Sequence, residues 1–170
     1  MENGLPALLV AAILMLSTVL MARGGFLGAD AVAQSLRESE ARYAQQSHTK
    51  LAVAGTSIDG SGANITVTLR NDGQTPVGDF AAMDVVVQYF GESGARYDKW
   101  LAYTSGALAS DTWKTGTFTN DIFEPGILNP GESVDLLLRV NPVVGTGTTN
   151  MVVIGSEHGV TTSAYFAGPP

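Results

Sequence analysis

The residues of this chain that could do chemistry are few and scattered. His48 and His158 lie far apart, and a zinc site ordinarily needs three or four His, Cys or carboxylate ligands. There is no cysteine at all, which excludes thiolate metal sites and disulfide staples. Asp72, Asp79 and Asp84, or Asp121 with Glu124, offer oxygen ligands to a calcium ion, but neither set has the spacing of an EF-hand loop. Surface solvation is the plainer reading of both, as it is of the two histidines. No G-x-S-x-G elbow, P-loop or G-x-G-x-x-G joins a strand to a helix. Gly145-Thr146-Gly147 sits between strands and reads as a flexible loop. A sugar-processing enzyme would need a carboxylate pair in a cleft, and nothing in the sequence points to one. No enzymatic activity, cofactor or metal is expected. Asn64-Ile65-Thr66 satisfies the N-glycosylation rule, so Asn64 is a candidate glycan site in an exported chain. Tyr89, Phe90, Tyr97, Trp100, Tyr103, Trp113 and Phe118 could form a sugar-binding platform, although core and cross-strand packing is the stronger reading.

The elements that must carry these residues are of two kinds. Residues 5–22, LPALLVAAILMLSTVLMA, are uncharged and overwhelmingly apolar. As a helix they reach roughly 27 Å, near the roughly 30 Å of bilayer hydrocarbon, so the segment can span a membrane. Only Glu2 precedes the run as a charge, and the missing basic n-region argues against a cleavable signal peptide. It predicts instead a short charged leader removed upstream of Met1. Beyond Arg23-Gly24-Gly25, a soft point because each glycine costs a helix about 1 kcal/mol relative to alanine, the pattern resumes. Residues 29–46 place Ala29, Val32, Leu36 and Tyr43 on one stripe. The spacing predicts one long helix, capped by Asn3 or Gly4, apolar all round in its first half and amphipathic in its second.

From Lys50 the texture changes to short alternating runs separated by turns. Ile65, Val67 and Leu69 alternate with Thr66, Thr68 and Arg70; Met83, Val85, Val87 and Tyr89 and then Val134, Leu136, Leu138 and Val140 form two further such faces. Asn129-Pro130-Gly131 fits a type II turn, with proline at its second position and glycine at its third. Further strands are expected at 51–58, 96–104, 112–119, 150–156 and 160–166. The fold class is therefore α+β: a long N-terminal apolar helix followed by an antiparallel, Ig-like β-sandwich, with 1–47 an assembly helix and 48–170 an outer domain.

The formal charge of −7 excludes nucleic acid as a partner. With 15% charged residues the surface is mildly acidic, and a Thr/Ser/Gly/Asn-rich surface fits an extracellular setting. Leu5, Leu8, Leu9, Ile13, Leu14, Leu16, Val19 and Leu20 wrap around the helix axis, and Phe26 continues the series. Such a helix must be surrounded on all sides, by lipid or by copies of itself. A heterologous contact that does not close generates a helical filament.

An apolar helix that starts near the chain terminus, becomes amphipathic and leads into a β-sandwich resembles the archaellins and, more widely, the type IV pilin superfamily. Thr66-Val67-Thr68-Leu69-Arg70-Asn71-Asp72-Gly73, Leu128-Asn129-Pro130-Gly131-Glu132 and Gly159-Val160-Thr161-Thr162-Ser163-Ala164-Tyr165-Phe166 are similar to stretches of archaellin-type sandwich domains. The resemblance implies a leader removed by a prepilin-type peptidase, a membrane-inserted stage, and assembly of identical subunits into a cell-surface filament for motility or adhesion. The glutamate of many bacterial pilins is absent, position 5 being Leu5, as it is in archaellins. The alternative is a single-span, membrane-anchored sandwich similar to the stator-type accessory proteins of the archaellum.

Overall fold

The computed structural model describes residues 4–170; within its helix the side chains of residues 4–7, 19 and 22–31 lie outside the described residues. The chain divides into two units, Met1–Tyr43 and Ala44–Pro170. The expected cap at Asn3 lies outside the described residues.

One α-helix, α1, runs Gly4–His48, continuing through Gly24 and Gly25 and ending within a residue or two of where the alanine- and glutamine-rich pattern stops. Its apolar character is narrower than a long apolar helix requires. In the second half Gln34 donates to Glu38 across one turn at 3.4 Å, and Arg37, Glu40 and Arg42 are exposed. The second half thus carries the polar residues expected of an amphipathic helix, whereas the long apolar helix of the expected fold class is corrected: the apolar part is short. Among the described residues no helix is long and apolar enough to cross a membrane. Leu5, Val19 and Phe26 carry side chains outside the described residues.

The second unit is built of eight strands: β1 Leu51–Ile58, β2 Asn64–Asn71, β3 Asp84–Phe90, β4 Arg96–Tyr103, β5 Thr112–Thr119, β6 Ser133–Arg139, β7 Thr149–Gly155 and β8 Thr161–Ala167. One sheet has the order β1-β2-β6-β5 and the other β4-β3-β7-β8, every pairing within them antiparallel. The exception to the antiparallel expectation is the junction of the sheets, where Ala102 and Tyr103 of β4 run parallel to Thr112 and Trp113 of β5. A single turn of 3-10 helix, Phe80–Ala82, precedes β3.

Alternation dictates the core. Ile65, Val67 and Leu69 of β2, Val85, Val87 and Tyr89 of β3, and Val134, Leu136 and Leu138 of β6 all point between the sheets and are almost wholly buried. Each such side chain contributes roughly 1.5–3 kcal/mol on leaving water. Trp113 fills the centre beside Tyr103, ring centroids 5.0 Å apart, with its indole N–H left without a partner.

The turns do the work assigned to them. Glu132 N–H donates to Asn129 O at 3.0 Å and Gly131 has φ 85°, the type II geometry. The turn after β2 is anchored by Asn71, fully buried, whose amide donates to Thr75 O and Leu128 O while its Oδ1 accepts from Gly73 N. The same turn clasps the end of α1: Gln74 N–H donates to His48 O at 2.7 Å and Asp72 N–H to Lys50 O at 2.8 Å.

Candidate assembly surface

The first candidate surface lies on α1. Leu8, Leu9, Ile13, Leu14, Leu16 and Leu20 are each about 60–70% exposed, a degree that a folded chain in water rarely tolerates over so many consecutive apolar residues. Val10, Met15 and Met21, outside the series drawn from the sequence, are equally exposed and complete the circumference of the helix. The polar side chains within this stretch are satisfied internally. Ser17 Oγ donates to Leu14 O at 3.0 Å, and Thr18 Oγ1 to Met15 O at 2.8 Å and Leu14 O at 3.0 Å. Neither hydroxyl would therefore be orphaned if the stretch were buried in an apolar setting. The stripe further along, Val32, Leu36 and Tyr43, is exposed as well.

The sandwich separates the residues whose types suit chemistry. His48 is exposed at the end of α1. His158 is not the solvated loop residue expected: its side chain is only 16% exposed, 3.5 Å from Glu157 and 3.5 Å from Pro76 O. Glu157 in turn accepts from Gly78 N at 3.1 Å and Asp79 N at 2.9 Å, so the pair ties the β7–β8 turn to the loop before β3. Four of the five candidate carboxylates are engaged locally, and Glu124 is exposed. Asp72 is bound by Arg70 at 2.6 Å, and that hydrogen bond holds its pKa below the usual 3.8. Asp79 caps the 3-10 turn by accepting from Ala82 N, Asp84 accepts from Trp100 Nε1 at 2.9 Å, and Asp121 accepts from Gly126 N. Among the described residues no three His, Asp or Glu side chains converge as a metal site would require.

Asn64 opens β2 and is exposed, with its amide donating to Asp59 Oδ2 at 2.6 Å. Desolvation pushes the Asp59 pKa up, but hydrogen bonds from Asn64, Ser61 and Ala63 outweigh it and leave the pKa lowered. The aromatic residues divide. Tyr89 stacks on Tyr97 at 5.4 Å, Tyr103 packs on Trp113, and Phe118 meets Phe80 edge-on at 5.9 Å. Phe90 and Trp100 instead lie on the outer face of the second sheet.

That outer face is more apolar than strand alternation alone would suggest. Cross-strand register sets Trp100, Val86 and Val153 in one row across three strands, and Gln88, Met151 and Tyr165 in another. Its Phe90 end forms an open groove of about 190 Å³ in which Phe90, Met151 and Tyr165 stand beside the polar Gln88, Arg96 and Thr149. A second apolar feature is the loop between β5 and β6, where Ile122 and Phe123 stand 78% and 74% exposed. Sequence reasoning misses both, because a dipeptide in a loop carries no periodicity and a groove depends on strand register.

A family model described as archaeal-type flagellin matches residues 7–166. No curated protein matches the chain. Among solved structures, the archaeal flagellum of Methanospirillum hungatei strain JF1 is similar at 15% identity and TM-score 0.55, over 97% of this chain and 93% of that one. Archaeal flagellin FlaB1 from Methanocaldococcus jannaschii is similar at 14% identity and TM-score 0.52, over 71% and 90%. The archaellum periplasmic stator protein complex FlaF and FlaG from Sulfolobus acidocaldarius is similar at 20% identity and TM-score 0.52, over 69% and 89%. At these identities the likeness is one of fold.

Proposed function

The chain belongs to the archaeal-type flagellin family, a family of structural proteins rather than enzymes, and on that footing we propose that it is the repeating subunit of an extracellular helical filament. The observation that carries this reading is the apolar stretch of α1, exposed around its whole circumference and containing no unsatisfied hydroxyl. Such a helix leaves water by packing among identical helices. Residues 1–47 then act as the assembly helix and residues 48–170 as the outer sheath. Before assembly the helix resides in the membrane, and a leader peptidase acts upstream of it. No small molecule, metal or nucleic acid takes part.

The competing reading is a membrane-anchored accessory module of the stator type, supported by the likeness of the sandwich to the FlaF and FlaG complex. The filament reading is favoured because the archaeal-type flagellin model takes in the helix with the sandwich, residues 7–166, and the archaeal flagellum is similar over 97% of the chain.

Leu9→Glu or Ile13→Asp tests the proposal, since either places an unpaired charge in the helical core at a cost of several kcal/mol. The expected result, read by electron microscopy of cell-surface material, is loss of filaments with the sandwich still folded by circular dichroism. Normal filaments from either variant would sink the assembly role of α1.

A further inference from the structure

The sandwich carries a knob at one end and a groove at the other. The knob is the tip Ile122–Phe123, held in shape from beneath: Asn129 Nδ2 donates to Phe123 O at 2.6 Å and Gly126 N–H to Asp121 Oδ2 at 3.3 Å. It follows directly on the Thr119–Ser133 rung, at the end of the first sheet where Asn71 N–H donates to Glu132 O. The groove, lined by Phe90, Met151 and Tyr165, sits at the other end. Gly145 N–H donates to Phe90 O there and Val144 N–H to Gly62 O, beside the Asn64–Arg139 rung. The length of β2 separates the two.

A protruding apolar tip and a groove with apolar walls at Phe90, Met151 and Tyr165, on opposite ends of one sandwich, describe a head-to-tail contact that does not close on itself, the kind that propagates a fibre. Charge agrees with that pairing. Exposed Glu124 flanks the tip, whereas Arg96 lines the groove. Arg96 gives its Nε and Nη2 hydrogens to Asp98, which leaves Nη1 free to meet a second carboxylate.

We infer that the Ile122–Phe123 tip of one copy seats in the Phe90/Met151/Tyr165 groove of the next copy, with Glu124 facing Arg96. The inference rests on the filament reading and adds a contact of the outer sheath to the burial of α1.

The chain contains no cysteine, so introduced thiols report without background. Filaments bearing Phe123→Cys together with Tyr165→Cys are oxidised and run on a non-reducing gel beside the wild type and each single variant. The double variant is expected to give a ladder of multimers in place of monomer, the single variants monomer alone. Assembled double-variant filaments that stay monomeric overturn the docking contact and leave the filament reading intact; absence of filaments from the wild type itself overturns the filament reading instead. If the double variant does not assemble, the two single-cysteine chains are produced together with wild-type chain. A cross-linked dimer then supports the contact and monomer alone refutes it.

Discussion

Tyr89 shows how a single residue links the sheet core to its ends. Its ring is buried against Tyr97, and its hydroxyl donates to Pro142 O at 2.8 Å. Desolvation first, then the nearby Asp111 carboxylate and Tyr97, push its pKa from the ordinary 10 up to about 12. Because the folded-state value is the higher one, the stability it carries is fully present below pH 10 and is lost as pH rises from 10 toward 12. Tyr89→Phe should therefore flatten the alkaline fall in stability, measured by urea denaturation of detergent-held chain at neutral and alkaline pH, while costing about 0.5–1.5 kcal/mol at neutrality through the lost hydrogen bond. An unchanged alkaline slope would show that another group governs that limb. Asn71 illustrates what sequence does not reach. Its place in an Asn-Asp-Gly turn is legible, but its three bonds inside a fully buried site depend on where Thr75 and Leu128 end up.

Among the elements, the strands are the most legible. Their period-2 alternation fixes one apolar face each, so the spacing of Val67, Val87 and Leu136 alone assigns them to the core, where they are buried. Alternation does not say which strand lies beside which. Hence neither the insertion of β6 between β2 and β5 nor the parallel junction of β4 with β5 can be read from it. The aromatic residues divide for the same reason: Tyr89 and Tyr97 of the second sheet and Trp113 and Phe118 of the first pack in or against the core, as the stronger reading expects, while register turns Phe90 and Trp100 outward. The turn after β2 shows how close the fit is within the second unit. A Cβ on Gly73 would collide with the backbone at Lys50 N and His48 O, groups that cannot retreat without breaking the clasp. Gly73→Ala should destabilise the second unit by about 1–3 kcal/mol, visible as a lowered urea midpoint. Gly94, at φ 75° with no atom within reach of an added Cβ, meets only the left-handed strain of about 1–2 kcal/mol and serves as the comparison. If Gly73→Ala proves no worse than Gly94→Ala, the clasp is looser than described.

At the scale of the whole molecule, the chain divides its labour between a helix whose apolar stretch is exposed among the described residues and a sandwich whose core is complete. The sandwich buries its own apolar side chains between two sheets. The stretch of α1 from Leu8 to Met21 has no such shelter, and each exposed leucine or isoleucine there favours burial by roughly 1.5–3 kcal/mol. On the proposed reading, polymerisation supplies that burial without closing the assembly. The most direct test is electron microscopy with helical reconstruction of material sheared from the surface of cells producing this chain, its subunit identified by mass spectrometry. The account predicts thin filaments of this chain with α1 bundled along the axis and the sandwiches outside. Cells that make the chain, show no such filaments and retain it in the membrane fraction would contradict the account.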